Sequence, residues 1–279
     1  MHETVKVLVK TLAISMALFV AMPTLGQNAT RNDGDIENNL LMAMAWKQTA
    51  AEFRALYHQG FNIARLRVEI ALAQKQDDSL PLAVISDVDE TLLLANDYWG
   101  YLITQGQDFF DDASWDRWIE ENRAVASPGA LEFLNFCERN SVEIFYVTNR
   151  DQGETTLQLA IENLNAVGFP HVDAAHLRVL RESSNKEIVQ QQIREDYEVV
   201  ALLGDNLNDF ARRYYSTDVD QRMSLMEQDK DRYGRDYILF PNPTDGHWIR
   251  AIFGESEPAA TDENRDILRR AATRAAWAP

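Results

Sequence analysis

Asp87 and Asp89 stand two residues apart in Asp87-Val88-Asp89-Glu90-Thr91, directly after the apolar run Leu82-Ala83-Val84-Ile85. If the chain curls into a loop there, both carboxylates can approach one centre. One can attack as a nucleophile while its neighbour acts as a general acid, provided their surroundings push the two pKa values apart. Two like charges so close also attract a cation. Magnesium takes oxygen ligands and keeps waters, so a site of few carboxylates suits it better than zinc. A second acidic stretch, Gly204-Asp205-Asn206-Leu207-Asn208-Asp209-Phe210, follows the run Val199–Leu203. Gly204 allows a tight turn, Asp205 points at the edge, and Asp209 comes one helical turn later. Asp209 alone would equally suit a helix N-terminus, which favours acids. Ser183 to Asn185 read as helix caps, which sets Lys186 at a helix start facing the same edge.

These residues need a frame to bring them together. Five short apolar runs supply one: 82–85, 143–147, 177–180, 199–203 and 237–240. Runs apolar on both faces suit parallel strands covered by helices. The stretches 129–140, 152–167 and 184–195 carry helical spacing and good helix formers. The alternation predicts an α/β fold with a doubly wound, mostly parallel sheet, in which a site lies outside the carboxyl ends of the strands. Asp87, Thr148 and Asp205 each follow or end such a run. One polar residue there is usually a turn or cap; three on one edge make a candidate site.

Ahead of the sheet, from Ile36 to about Gln76, apolar residues recur at three- and four-residue steps, with Gly60 expected to split the stretch into two helices. Seven aromatics crowd the segment after the first run: Tyr98, Trp99, Tyr101, Phe109, Phe110, Trp115 and Trp118. Most read as the core of a small cap. Phe109 and Trp115 are the candidates for a stacking slot over the site, suited to a planar leaving group.

Composition narrows the function. The 279 residues carry a formal net charge of -17, which argues against a nucleic-acid polymer as partner. One cysteine, Cys137, excludes a disulfide framework and a cysteine-built zinc site. Lys6 and Lys10 precede an apolar run from Leu12 to Met22, then Pro23 and small residues. The run is shorter than a membrane span, and its layout is that of a secretory signal cut after Gly26. No cysteine near the cut offers a lipid anchor. The expected localisation is soluble and exported, periplasmic or secreted. The expected organisation is a signal at 1–26, a helical segment at 27–80, a core at 81–254 with a cap at about 94–127, and a loop and helix at 255–279.

The ordered stretches D-V-D-E-T, V-T-N-R, S-S-N-K-E and L-L-G-D-N-L-N-D-F resemble the haloacid dehalogenase superfamily. Within it the chain is similar to the class C, lipoprotein-e-like acid phosphatases, from about Leu41 to Trp248. The resemblance implies a haloacid dehalogenase-like fold and a phosphomonoesterase acting through an aspartyl phosphate. Asp87 would attack phosphorus, and Asp89 would protonate the leaving alkoxide. Thr148 and Lys186 would hold phosphoryl oxygens, and Asn149 and Arg150 would join them at the substrate. Mg²⁺ would bind the Asp87 carboxylate, the Asp89 carbonyl and Asp205, with Asp209 steadying the shell or pairing with Lys186. The chain departs from the family at Leu94-Ala95, where Asp-Asn is usual, in lacking a lipobox cysteine, and at Asp245, where N-P-x-Y-G-x-W places an aromatic beside the leaving group.

The resulting expectation is an exported Mg²⁺-dependent acid phosphatase, with nucleoside monophosphates (a 5'-nucleotidase activity) as the leading substrate class. A homodimer stays open as an assembly. Transfer of the phosphoryl group to an acceptor alcohol is the alternative on the same site, and a non-catalytic exported binding or storage protein is the alternative on the same scaffold. G-x-S-x-G, G-x-x-x-x-G-K and H-E-x-x-H are all missing. His58, His171, His176 and His247 are scattered and read as surface or packing residues.

Overall fold

Alternation of buried side chains builds the centre of the fold. In the first strand, β1 (Leu82–Ser86), every residue is buried. Leu82 and Val84 pack into the larger apolar core on one face, and Ala83 and Ile85 into the smaller core on the other. Such two-faced burial is what a parallel strand between helical layers requires. The computed structural model describes residues 38–277, so the expected leader at 1–26 lies outside the described residues.

Five strands form one parallel sheet. They are β1, β4 (Glu143–Thr148), β5 (Leu177–Val179), β6 (Glu198–Gly204) and β7 (Tyr237–Leu239), in the spatial order β5-β4-β1-β6-β7. The order reverses at β1, flanked by β4 on one side and β6 on the other. A crevice opens at such a switch point, beyond the carboxyl ends of the strands. Register brings the ends level, because Ser86 pairs with Tyr146 of β4 and Leu203 of β6. A two-stranded antiparallel ribbon, β2 (Leu93–Leu94) with β3 (Val125–Ala126), branches off after β1.

Helices follow the strands. α3 (Asn96–Thr104) and α4 (Asp112–Glu120) lie within the ribbon's connection and carry the aromatic-rich segment. α5 (Ala130–Arg139), α6 (Thr156–Ala166) and α7 (Lys186–Asp196) connect the sheet strands. α8 (Val219–Gln228), α9 (His247–Phe253) and α10 (Asp262–Ala272) complete the chain.

The N-terminal helices differ from the sequence reading. α1 (Leu41–Thr49) ends at Ala50, and α2 (Ala51–Gln74) runs straight through Gly60. Gly60 is a point of close approach rather than a break. A Cβ there would lie 2.6 Å from the buried Phe240 ring, which packs against Tyr57 and Phe61 of the same helix. Among the described residues no helix is long and apolar enough to cross a membrane.

Candidate active site

Asp87 leaves β1 with its backbone N–H bonded to the Leu203 carbonyl of β6 at 2.9 Å, so the strand pairing continues one residue into the loop. Its carboxylate receives the Lys186 ammonium, which also lies 2.7 Å from Asp209 Oδ1. Lys186 is the first residue of α7, which explains how it reaches the strand ends. Thr91 Oγ1 stands 3.2 Å from Asp87 Oδ2 and 3.3 Å from Asp205 Oδ1, between the two acidic stretches. Asp205 leaves β6 and accepts the Asn242 amide at 2.7 Å.

Gly204 is required for this geometry. A Cβ at 204 would come within 2.5 Å of Asp209 Oδ2. That oxygen accepts the backbone N–H of Asn206 at 2.9 Å, which locks the turn after β6.

Carboxylate oxygens of Asp87, Asp205 and Asp209 all lie within 4.8 Å of one another. Burial pushes the Asp87 carboxyl up to about 6, against the pull of Lys186, with Asp209 and Asp89 adding to the rise. Burial, then Asp209 and Asp87, raise Asp205 well above the ordinary carboxylate range. With Asp89 the cluster holds four carboxylates against the Lys186 and Arg150 cations, a formal excess of two negative charges. An all-oxygen donor set with that excess fits a hard divalent cation.

Asp89 stands apart from the carboxylate triplet. Arg150 grips it with two prongs, Nη2 to Oδ1 at 2.6 Å and Nε to Oδ2 at 2.7 Å. Thr148 Oγ1 lies 3.4 Å from the same Oδ2. Arg150 is buried and is held from behind by Asn163 Oδ1 at 2.8 Å. Arg150, for which the expected role is substrate binding, lines the cavity above the site and commits its fork to Asp89. Asn149, with the same expected role, also lines the cavity, and its amide donates to the carbonyls of Leu180 and Ser183, which shapes the loop before α7.

Above these groups opens a cavity of about 700 Å³, lined on its apolar side by Trp99, Phe110 and Trp115 and on its polar side by Asp245, Tyr215 and Arg250. Trp115 stacks on Trp118, with ring centroids 5.0 Å apart. Phe109 does not line the cavity. It is buried edge-on against Phe253 of α9, and its neighbour Phe110 takes the cavity side. Asp245 does line it, and burial raises its carboxyl to about 6, with Glu90 and Glu257 adding to the rise.

A support behind the site was not foreseen. Glu90, in the same acidic motif as Asp87, adopts φ 59° and is buried. It binds Lys47 of α1 at 2.6 Å and the Trp99 indole N–H at 3.1 Å. Lys47 also reaches Thr244 Oγ1 at 3.0 Å. One buried ion pair thus ties α1, the loop after β1, the aromatic wall and the 242–246 loop together. A lysine on the apolar side of α1 was the available signal.

The sequence matches the family described as HAD superfamily, subfamily IIIB (Acid phosphatase), over residues 15–248. The chain belongs to this family. It is also similar to Acid phosphatase 1 of Solanum lycopersicum, at 28% identity over 134 residues, which are 45% of this chain and 50% of the relative. The chain thus spans about half the length of that curated relative. Two solved structures of the class C acid phosphatase from Bacillus anthracis, one with tungstate bound, each superpose with a TM-score of 0.76 at 31% identity. Each match covers 85% of this chain and 96% of the solved one.

Proposed function

We propose that this chain is an exported, Mg²⁺-dependent acid phosphatase that hydrolyses phosphomonoesters through an aspartyl phosphate on Asp87. The observation that carries the reading is the meeting of Asp87, Asp89, Lys186 and Asp205 at one rim of the sheet, on the floor of a cavity with an aromatic wall.

In the first half-reaction an Asp87 oxygen forms a bond to phosphorus while the bond to the leaving oxygen breaks. Asp89 gives its proton to that oxygen, sparing the departure of a bare alkoxide. Lys186 neutralises charge on the phosphoryl oxygens, and Thr148 donates to one of them. In the second half-reaction water attacks phosphorus, Asp89 takes its proton, and Asp87 is released. A divalent cation held by Asp87, the Asp89 carbonyl and Asp205, with Asp209 behind them, would lower the charge barrier between the carboxylate and the phosphate dianion.

Nucleoside monophosphates are the leading substrate class. Trp99, Phe110 and Trp115 offer planar faces beside the catalytic floor, and the cavity has room for a base and ribose. Tungstate, a tetrahedral oxyanion, occupies the solved Bacillus anthracis relative; here it should compete with phosphate esters. The test is a substrate panel on purified protein, before and after exhaustive EDTA treatment. Hydrolysis of nucleoside monophosphates that EDTA abolishes and Mg²⁺ restores supports the proposal. Full activity with no detectable metal contradicts its metal dependence.

A further inference from the structure

Glu143, His171 and His176 are far apart in the chain, yet one side-chain atom from each lies within 4.8 Å of the other two. Glu143 opens β4, and the two histidines flank the turn that leads into β5. His176 Nε2 is 3.0 Å and His171 Nδ1 is 3.3 Å from the same oxygen, Glu143 Oε2. A tetrahedral zinc with bonds of about 2.0–2.1 Å has ligand-to-ligand edges of about 3.3 Å, so both separations are those of neighbouring ligands.

The surroundings of the two rings supply an outer carboxylate and an unpartnered nitrogen. On the far side of its ring, His176 Nδ1 lies 2.8 Å from Asp173 Oδ1. A carboxylate only accepts, and the opposite ring nitrogen, Nε2, faces a second carboxylate, Glu143 Oε2, at 3.0 Å, so a metal at Nε2 would stand where a shared proton otherwise sits. With a metal on Nε2, Asp173 would be the outer carboxylate that orients the ligand ring. His171 Nδ1 is buried and has no hydrogen-bond partner among the described residues, since its approach to Glu143 is poorly aligned for donation. Two nitrogens and a carboxylate oxygen thus converge within ligand-to-ligand distance, with one of the nitrogens unpartnered.

We propose that Glu143, His171 and His176 form a second metal site, of the zinc class, with water completing the shell and Asp173 as its outer support. Neutral imidazole and carboxylate are ordinary zinc ligands, whereas the oxygen-only cluster beyond the ends of β1 and β6, at the opposite edge of the sheet, suits magnesium. Glu143 and Thr148 are the two ends of β4, so about 16 Å separates the sites at about 3.3 Å per residue. The metal would tie the turn before β5 to the start of β4. It would hold the three-residue edge strand in register without touching the reaction.

The test is zinc titration of the whole protein in excess Mg²⁺, with bound zinc counted by mass spectrometry and thermal unfolding followed in parallel. Wild type should bind one more equivalent of zinc than the His171→Ala/His176→Ala double variant, and zinc should raise the unfolding temperature of wild type alone. Asp173→Asn should weaken zinc affinity about 10- to 100-fold, the usual effect of removing an outer partner. Phosphate-ester hydrolysis in Mg²⁺ should be unchanged in every variant. If the double variant does not fold, Glu143→Gln, which preserves shape, must lose the same equivalent. Equal zinc content in wild type and variants, or no zinc-dependent rise in unfolding temperature, overturns the proposal.

Discussion

Asp89 and Arg150 are joined by a two-pronged salt bridge, 2.6 Å and 2.7 Å, at the mouth of β4. The pair fixes the orientation of the carboxyl proposed to move protons. It also engages both oxygens of Asp89, so a proton on the carboxyl must share its oxygen with one prong or displace it.

Replacing Arg150 separates two roles. If Arg150 positions Asp89, Arg150→Ala should lower kcat on alkyl phosphates by about 10- to 100-fold, the scale of a misplaced catalytic group, with KM nearly unchanged. If it bound substrate instead, KM would rise. Asp89→Asn should hurt alkyl phosphates more than p-nitrophenyl phosphate, whose leaving group needs less protonation. Equal losses on both would remove Asp89 from the acid role.

Asp245 lines the cavity, at the position where the resemblance to class C acid phosphatases implies an aromatic. An aromatic pair contributes about 0.5–1.5 kcal/mol beyond area burial, or about 2- to 12-fold in binding. Asp245→Tyr should therefore tighten KM for nucleoside monophosphates by that factor and leave glycerol phosphate nearly unaffected. Wild type should prefer nucleotides over simple esters only modestly. A strong wild-type preference that the substitution does not alter would show that residue 245 does not meet the leaving group.

Asp245 and His247 titrate in opposite senses. Burial raises Asp245 from 3.8 to about 6 and lowers His247 from 6.5 to about 4. For Asp245 the folded form keeps its proton longer, so this contribution to stability is full below about pH 4 and is lost as pH rises through about 6. For His247 the folded form resists protonation, so stability is lost as pH falls from about 6.5 toward 4. The two slopes oppose each other in the shared window. The stability of Asp245→Asn relative to wild type should grow between pH 4 and 7, reaching about 1–3 kcal/mol after allowing for partial exposure. Urea unfolding across that range checks it, and a flat or shrinking difference contradicts the burial argument.

The sheet was legible because its strands are buried on both faces and so read as unbroken apolar runs. The polar residues after those runs marked the site edge for the same reason. Side-chain direction was less legible. Phe109 and Phe110 have the same composition signal, and only the path of the chain between α3 and α4 decides which one meets the cavity. Gly60 read as a helix break because glycine weakens helices, yet it serves a ring that arrives from residue 240. Lys47, Asn242 and the His171–His176 pair depend on contacts between distant segments, which spacing along the chain does not encode. α8 lies in a stretch where polar residues blur the helical period, and α9, at seven residues, is too short to show one.

The account rests on Asp87 as the atom that receives the phosphoryl group. Rapid acid quench with a radiolabelled phosphate ester, followed by peptide mapping, tests it most directly. The label should appear transiently on the peptide holding Asp87. Asp87→Asn should show neither label nor turnover while keeping the wild-type unfolding transition. Label on another residue, or turnover sustained by a folded Asp87→Asn, would contradict the mechanism.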